Sequence, residues 1–223
     1  MWRDDRGMAL VLVLLCAMLF LALGGALVTV VRSEATISAT FRESAVALSA
    51  AEAAIIRVLP DLAAAPDLNA VLRGAVASSF VDGPPQAPRR LPDGTDLDLV
   101  ATTNGERCGQ MACHDAQMDA VTVERPWGAN NARWQTYASG WLRDLTPQTA
   151  DAPHAYVVVW VGDDPLETDG DPLIDDSDVN APGHEVVLLR AAAYAAYSAR
   201  RRIEVVARRD GAAVRITSWR EIR

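Results

Sequence analysis

Residues 8–31 read MALVLVLLCAMLFLALGGALVTVV and contain no charged side chain. About 20 consecutive apolar residues are enough to span a bilayer, and each leucine or valine favours insertion by roughly 0.3–0.6 kcal/mol. The apolar core of a cleaved secretory signal is shorter, at about 7–15 residues. The run therefore predicts a transmembrane helix, with a cleaved signal peptide or a plain signal anchor as the alternatives.

The helical sequence continues beyond the apolar run. Residues 32–59 contain no proline or glycine and are rich in alanine, glutamate and arginine, which favour helix. Their larger apolar side chains recur at helical spacing and predict one buried stripe: Ile37, Phe41, Leu48, Ile55 and Leu59. Pro60 is expected to end the helix. We therefore expect one helix over residues 8–59, about 78 Å long, whose amphipathic second half packs on a globular head.

The composition limits the classes of function. The chain has 223 residues, a formal net charge of −8 and 21 basic residues, all of them arginine. Without lysine there is no Schiff-base lysine and no phosphate-loop lysine. The acidic balance argues against nucleic acid as a partner, because nucleic-acid binding normally requires a basic face. The sequence also lacks the short motifs of zinc proteases and serine hydrolases, so we expect no enzyme.

Residues 60–223 have the pattern of an α+β head. A short helix over 66–80, capped by Asp67, is followed by a loop over 82–94 that is rich in proline and glycine. Strands are predicted over 96–102, 134–142, 155–161, 185–193, 203–208 and 213–219. Asp210-Gly211 predicts a tight hairpin turn between the last two strands. The fold class is therefore α+β, with the long N-terminal helix packed on an antiparallel sheet.

Two cysteines lie close together in the head. Cys108 and Cys113 predict a short disulfide if the head is in an oxidising compartment. Two free thiols are the first alternative. A metal site that also uses His114 is the second, although it has only three nearby ligands.

An acidic segment lies between the predicted strands. Residues 163–178 read DDPLETDGDPLIDDSD and carry eight carboxylates and no arginine. Calcium prefers about six to eight oxygen ligands, and seven aspartates are the candidate ligands: Asp163, Asp164, Asp169, Asp171, Asp175, Asp176 and Asp178. Residues 186–223 carry nine arginines against three acids, so salt bridges to that region are a second explanation. A solvated loop is the third, and the sequence leaves all three open.

A short leader that ends in Gly7, followed by an apolar helix that becomes amphipathic, resembles a type IV prepilin. The resemblance implies that a prepilin peptidase cuts between Gly7 and Met8 and methylates the new amino terminus. It also implies a leader (1–7), a membrane-spanning helix half (8–31), an amphipathic helix half (32–59) and a head (60–223). The chain would be a single-pass inner-membrane protein whose head lies in the periplasm or in the extracellular pilus. Arginine and aspartate cancel in the leader, so this orientation rests on the resemblance rather than on charge.

Three stretches resemble the PilX group of minor pilins: RGMALV over 6–11, AAEAA over 50–54 with Glu52 at its centre, and SWRE over 218–221. Most pilins have glutamate at the fifth mature position, where this chain has Leu12. A carboxylate in lipid is costly unless it is paired, and a subunit with no neighbour above it offers no partner. Leu12 therefore suits a subunit that initiates the fibre or lies at its tip.

The resemblance also implies the partners: other minor pilins, the major pilin, the prepilin peptidase, an inner-membrane assembly platform and the lipid bilayer. Gly24 and Gly25 are expected either to loosen the helix locally or to permit close helix packing. Two alternatives remain for the function. One is a tip pseudopilin of type II secretion, and the other is a membrane-anchored extracytoplasmic binding module such as an adhesin or sensor head.

Overall fold

The computed structural model describes residues 6–145, 154–167, 170–175, 178, 180 and 183–222. Its helices are α1 (Arg6–Ala63), α2 (Leu68–Leu72), α3 (Leu99–Cys108), α4 (Asp115–Met118) and α5 (Leu142–Leu145). Its strands are β1 (Arg89–Arg90), β2 (Asp96–Leu97), β3 (Gln135–Trp141), β4 (Tyr156–Asp163), β5 (Val186–Tyr194), β6 (Arg200–Asp210) and β7 (Ala213–Ile222). The chain divides into two compact units, Met1–Arg42 and Glu43–Arg223.

Helix α1 is continuous over 58 residues and runs past its expected end. The prediction that Pro60 ends the helix is wrong, because Ala64 N still donates to Pro60 O at 3.0 Å. A proline inside a helix costs about 3 kcal/mol. Burial of Leu62, which is 1% exposed, recovers about 1.5–3 kcal/mol. Asp61 adds hydrogen bonds by accepting from Ser78 Oγ and Ser79 N.

The face of α1 that packs in the head is made largely of alanine. Its fully buried members follow the helical repeat: Ala47, Ala50, Ala51, Ala54, Ile55, Val58 and Leu62. The predicted stripe is therefore only partly correct. Ile55 is buried and Leu48 and Leu59 are partly buried, whereas Ile37 and Phe41 are 66% and 76% exposed. The contact of α1 with the core is therefore made mainly by small side chains, four of them alanine.

Strands β3 to β7 form an antiparallel sheet in which the spatial order follows the chain order. This confirms the α+β class and the predicted strands over 134–142, 155–161, 185–193, 203–208 and 213–219, with β6 and β7 longer than expected. The predicted hairpin is confirmed as well. Asp210 pairs with Ala213 across a two-residue turn, and Gly211 takes the positive φ of +61° that a side chain would resist.

Both faces of the sheet are covered in the middle, so every residue of β4 is buried. On one face, Val157, Val159 and Val161 pack with the alanine face of α1 and with α2. On the other face, Tyr156, Val158 and Trp160 pack with the β1–β2 hairpin and the first residue of α3. A strand buried on both sides has no polar alternation, which explains the continuous apolar run YVVVWV.

Two predictions in the first half of the head need correction. Residues 96–102 were expected to form a strand, but the strand ends at Leu97 and α3 begins at Leu99. The Asp98 side chain caps α3 by accepting from Ala101 N at 2.9 Å, and Gly109 ends it with φ +76°. The helix expected over 66–80 is confirmed with its Asp67 cap but ends at Leu72, so it is much shorter.

Candidate functional site

The predicted processing site lies at the start of α1. The helix begins at Arg6, so the Gly7–Met8 bond lies in its first turn, while residues 1–5 lie outside the described part of the chain. The side chains of Met8 and Leu12 are 70% and 60% exposed. Within the described residues, α1 is the one helix that is long and apolar enough to cross a membrane, and none of its most apolar window is buried.

The other predicted assembly residues also lie on α1. Gly24 and Gly25 are helical, and a Cβ added to either would meet nothing within 4 Å. The helix is continuous at these glycines, and open space surrounds both. Glu52 belongs to the head unit and is half-buried.

Cys108 and Cys113 are joined by a disulfide, with 6.0 Å between their Cα atoms. Cys108 is the last residue of α3, so the bond ties the end of this helix to the chain that follows it. His114 is the residue before α4, and its backbone N–H donates to Gln117 Oε1 at 2.9 Å. A disulfide uses both sulfurs, which leaves no thiolate for the alternative metal site.

Much of the acidic segment is engaged in local turns. Asp164, Asp171 and Asp178 each accept a hydrogen bond from the backbone N–H two residues later, at 2.9–3.1 Å. An aspartate that bonds its own backbone in this way stabilises a turn. Asp163 instead ends β4 and is 1% exposed. Asp169 and Asp176 lie outside the described residues.

One group with the side chains of a metal site does form. Among the described residues, Asp175, His184 and Glu185 place their ligand atoms within 4.8 Å of one another. Only Asp175 belongs to the seven predicted aspartates. Glu185 has a φ of +61°, which is uncommon for a residue with a side chain, but neither its type nor its spacing identified it in the sequence.

Arg209 supplies a positive charge to this group. Its Nη2 donates to Glu185 Oε1 at 2.8 Å and its Nε donates to Oε2, and these bonds hold the pKa of Glu185 below its ordinary value. Burial raises the pKa of Asp175, although the Glu185 N–H, at 2.8 Å, and the charge of His184 oppose the shift. The two hydrogen bonds from the Arg209 guanidinium group therefore already neutralise the carboxylate of Glu185. The charge of Arg209 also acts on Asp175 of the acidic segment, where it too opposes the rise in the pKa.

A second polar cluster lies on the face of the sheet that carries α3. Arg190 Nη1 donates to Glu106 Oε2 at 2.7 Å, and Arg190 Nε donates to Glu204 Oε2 at 3.1 Å. Arg202 reaches Glu106 at 3.2 Å, and Arg220 Nε donates to Glu204 at 2.8 Å. We call these five residues the arginine–glutamate cluster. The sequence had indicated an excess of arginine over residues 186–223. It had not indicated that Glu106 pairs with these arginines, because α3 was not predicted.

The two carboxylates of the cluster are buried, whereas part of its positive charge reaches solvent. The glutamate side chains are 5% and 7% exposed, but Arg220 is 63% exposed. Burial alone would raise the pKa of Glu204, yet the charges and hydrogen bonds of Arg190 and Arg220 lower it. Arg190 also stacks over Trp134, with its guanidinium carbon 4.1 Å from the ring centroid. The cluster thus joins three arginines to two glutamates.

Four residues of the cluster line an open groove of about 510 Å³: Glu106, Arg190, Arg202 and Arg220. Residues 122–127 also line the groove, and among them Val123 and Trp127 are 93% and 41% exposed. This surface places guanidinium donors beside exposed apolar side chains.

No family model, curated protein or solved structure matches the chain.

Proposed function

We propose that the chain is a PilX-type minor pilin that takes part in the initiation or tip assembly of a type IV pilus or related fibre. Its role would be assembly and not catalysis. The observation that carries the proposal is helix α1, a single helix that is apolar and exposed over residues 8–31 and packed into the head over residues 47–62. A helix of that composition serves as a membrane anchor and as a packing element with the helices of other subunits.

The exposed apolar half of α1 needs a non-aqueous environment. Residues 8–31 carry no charge, so a bilayer accepts them without the several-kcal/mol cost of an unpaired ion. The same surface packs against other apolar helices, because helices associate in lipid through close van der Waals contact. Gly24 and Gly25 have no side chain to hold a neighbouring helix away, which favours such close contact. Storage in the inner membrane and packing in a fibre thus use one surface.

The disulfide supports a periplasmic head. Disulfides persist in oxidising compartments such as the periplasm and are rare in the cytosol, and Cys108 is bonded to Cys113. With the head outside and the apolar helix in the inner membrane, the leader lies in the cytoplasm. The prepilin peptidase, the inner-membrane assembly platform and the other pilins are the partners that this arrangement requires.

Leu12 supports a place at the start or the tip of the fibre. Its side chain is apolar and exposed on α1, so it supplies no carboxylate to neutralise the amino terminus of a neighbouring subunit. A subunit with no other subunit above it has no neighbouring amino terminus to neutralise. This argument favours a priming or tip subunit over a bulk subunit.

Mass spectrometry of the mature amino terminus tests the proposal. The full chain, purified from its native membrane, is expected to begin at Met8 with an N-methyl group. A chain that begins at Met1, or near Gly25 after signal cleavage, would contradict the proposal and favour a membrane-anchored binding module. The matched control is Gly7→Leu, which should retain residues 1–7 because the cleavage position is altered. Identical termini in both proteins would exclude cleavage at Gly7.

A further inference from the structure

Strand β7 is an edge of the sheet, and the two edges differ. The outer edge of β3 is covered by residues 78–82: Ser78 N donates to Tyr137 O at 2.9 Å, and Asp82 N donates to Ser139 O at 3.1 Å. On the other side of the sheet, β7 pairs with β6, and no described strand lies beyond it. Alternate N–H and C=O groups of an uncovered edge strand are available to pair with another chain.

The exposed edge also carries uncovered apolar side chains. Trp219 and Ile216 are 46% and 40% exposed. Trp219 pairs with Val205, a member of the core on the α1 side, so the indole lies on that face of the sheet. One more strand beside β7 would extend this core and cover the indole.

A β-bulge limits the length of chain that can pair regularly. Val206 lies opposite Ser218 while Ala207 lies opposite Ile216, so Thr217 is the extra residue. A bulge interrupts the ladder and bends the strand. The regular stretch that contains Trp219 is therefore 218–222, and a partner of about five residues fits it.

The opposite face of this stretch determines the charge of the partner. Arg220 lies opposite Glu204 in the arginine–glutamate cluster and donates to it through Nε and Nη2. Because Arg220 is 63% exposed, a carboxylate on a neighbouring strand can approach it. Opposite charges placed directly across two strands stabilise the pair, and like charges destabilise it.

The same rule disfavours a second copy of this chain as the occupant. The antiparallel register that pairs all five residues of 218–222 with their counterparts places Arg220 opposite Arg220 and Trp219 opposite Glu221. The partner should instead present an acid where a second copy presents arginine.

We propose that residues 218–222 of β7 accept a short extended segment of another protein as a sixth strand, with an apolar side chain opposite Trp219 and a carboxylate opposite Arg220. Main-chain hydrogen bonds provide attraction in such strand addition, and the alternating side chains provide specificity. The inference is independent of leader cleavage and of membership in a pilus.

Hydrogen exchange of the full chain in detergent micelles tests the proposal. The probe is a capped peptide with the core Val-Thr-Glu-Val-Thr, which places valine opposite Trp219 and glutamate opposite Arg220 in the antiparallel register. We expect this peptide to slow amide exchange in 218–222. Half-maximal protection should require about threefold less of it than of a version with lysine in place of glutamate. A version with N-methyl groups at alternate residues should give no protection, because it cannot complete the ladder.

Two variants separate the charge effect from general peptide binding. Arg220→Gln should remove the preference for glutamate over lysine. Arg215→Gln, on the same strand but beyond the bulge, should preserve it. Equal protection by the two charged peptides on the unaltered chain, or no protection at millimolar peptide, would overturn the proposal. So would exchange in 218–222 that is as slow as in β4 before any peptide is added, since the edge would then already be occupied.

Discussion

At the scale of single residues, Gly140 shows how a missing side chain closes one edge of the sheet. A Cβ placed on this β3 residue would lie 2.6 Å from Phe80 Cζ, well inside contact distance. Phe80 is 9% exposed and belongs to the segment that covers β3. Glycine weakens a strand in general, but here it makes room for the ring that covers the strand.

We therefore predict that Gly140→Ala destabilises the head by about 1–3 kcal/mol, the usual cost of overpacking. Gly105→Ala is the matched control. Gly105 lies inside α3, and a Cβ there meets nothing within 4 Å, so this change should stabilise by up to about 1 kcal/mol. Chemical denaturation followed by tryptophan fluorescence measures both. Equal effects of the two substitutions would contradict the packing argument.

Glu204 gives a prediction for the pH dependence of stability. Its pKa is lowered in the folded protein because Arg190 and Arg220 outweigh the effect of burial. The stability from its charge is thus present above the unfolded-state pKa of about 4.3 and is lost as pH falls through the lower folded-state pKa. Glu204→Gln should cost about 1.5–3 kcal/mol at neutral pH, because Arg190 and Arg220 lose a charged acceptor and Arg190 keeps only Glu106. The difference from the unaltered protein should shrink below about pH 4.

Thermal denaturation at a series of pH values measures this difference. The control is Glu221→Gln, whose partner Arg201 is 41% exposed, so the substitution should change stability by less than about 1 kcal/mol. A constant gap between Glu204→Gln and the unaltered protein down to pH 3 would show that the Glu204 charge does not contribute to stability.

At the scale of elements, the sequence predicts those whose patterns are long or strictly local. The run YVVVWV predicts β4, and Asp210-Gly211 predicts the β6–β7 turn, because each feature lies within a few residues. The alternation in 96–102 is too short to separate strand from helix. Two residues in the sequence do favour the helix α3: Asp98, which caps its start, and Gly109, which ends it. The alternation in 96–102 favours a strand instead, so the two signals conflict. The prediction that Pro60 ends the helix was wrong for a different reason. The burial of Leu62, which offsets the cost of the proline, is a tertiary contact that the local sequence does not reveal.

The polar clusters follow the same distinction between local and long-range contacts. Cys108 and Cys113 are five residues apart, so their proximity could be read directly from the sequence. Glu106 and Arg190 are 84 residues apart and meet only because α3 lies over β5. The aspartates of 163–178 were identified by their density, but most of those described bond to nearby backbone. A high density of aspartate is therefore as consistent with a series of turns as with a metal site.

At the scale of the whole molecule, the packed part of α1 belongs to the head. The second compact unit begins at Glu43, so it combines the predicted head, 60–223, with residues 43–59 of the predicted amphipathic half. Six of the seven buried α1 side chains lie before residue 60: Ala47, Ala50, Ala51, Ala54, Ile55 and Val58. Hydrophobic periodicity identified the amphipathic half of the helix. It could not determine where the tertiary contacts begin.

A pair of truncations tests this boundary. We predict that residues 43–223, exported to an oxidising compartment so that Cys108 and Cys113 pair, form a soluble head that melts cooperatively. Residues 60–223 should fail to fold, because the exposed sheet face loses Ile55 and Val58, each worth about 1.5–3 kcal/mol, together with four alanines. Such a loss approaches the total stability of an ordinary domain, about 5–15 kcal/mol.

Circular dichroism on heating distinguishes the two outcomes. A cooperative transition of 60–223 at the temperature of 43–223 would show that α1 is dispensable for the head. The expected result has a consequence for assembly. If the head is complete from residue 43, residues 8–31 are free to exchange lipid for the helices of other subunits without unfolding it. The proposed passage from membrane to fibre requires that independence.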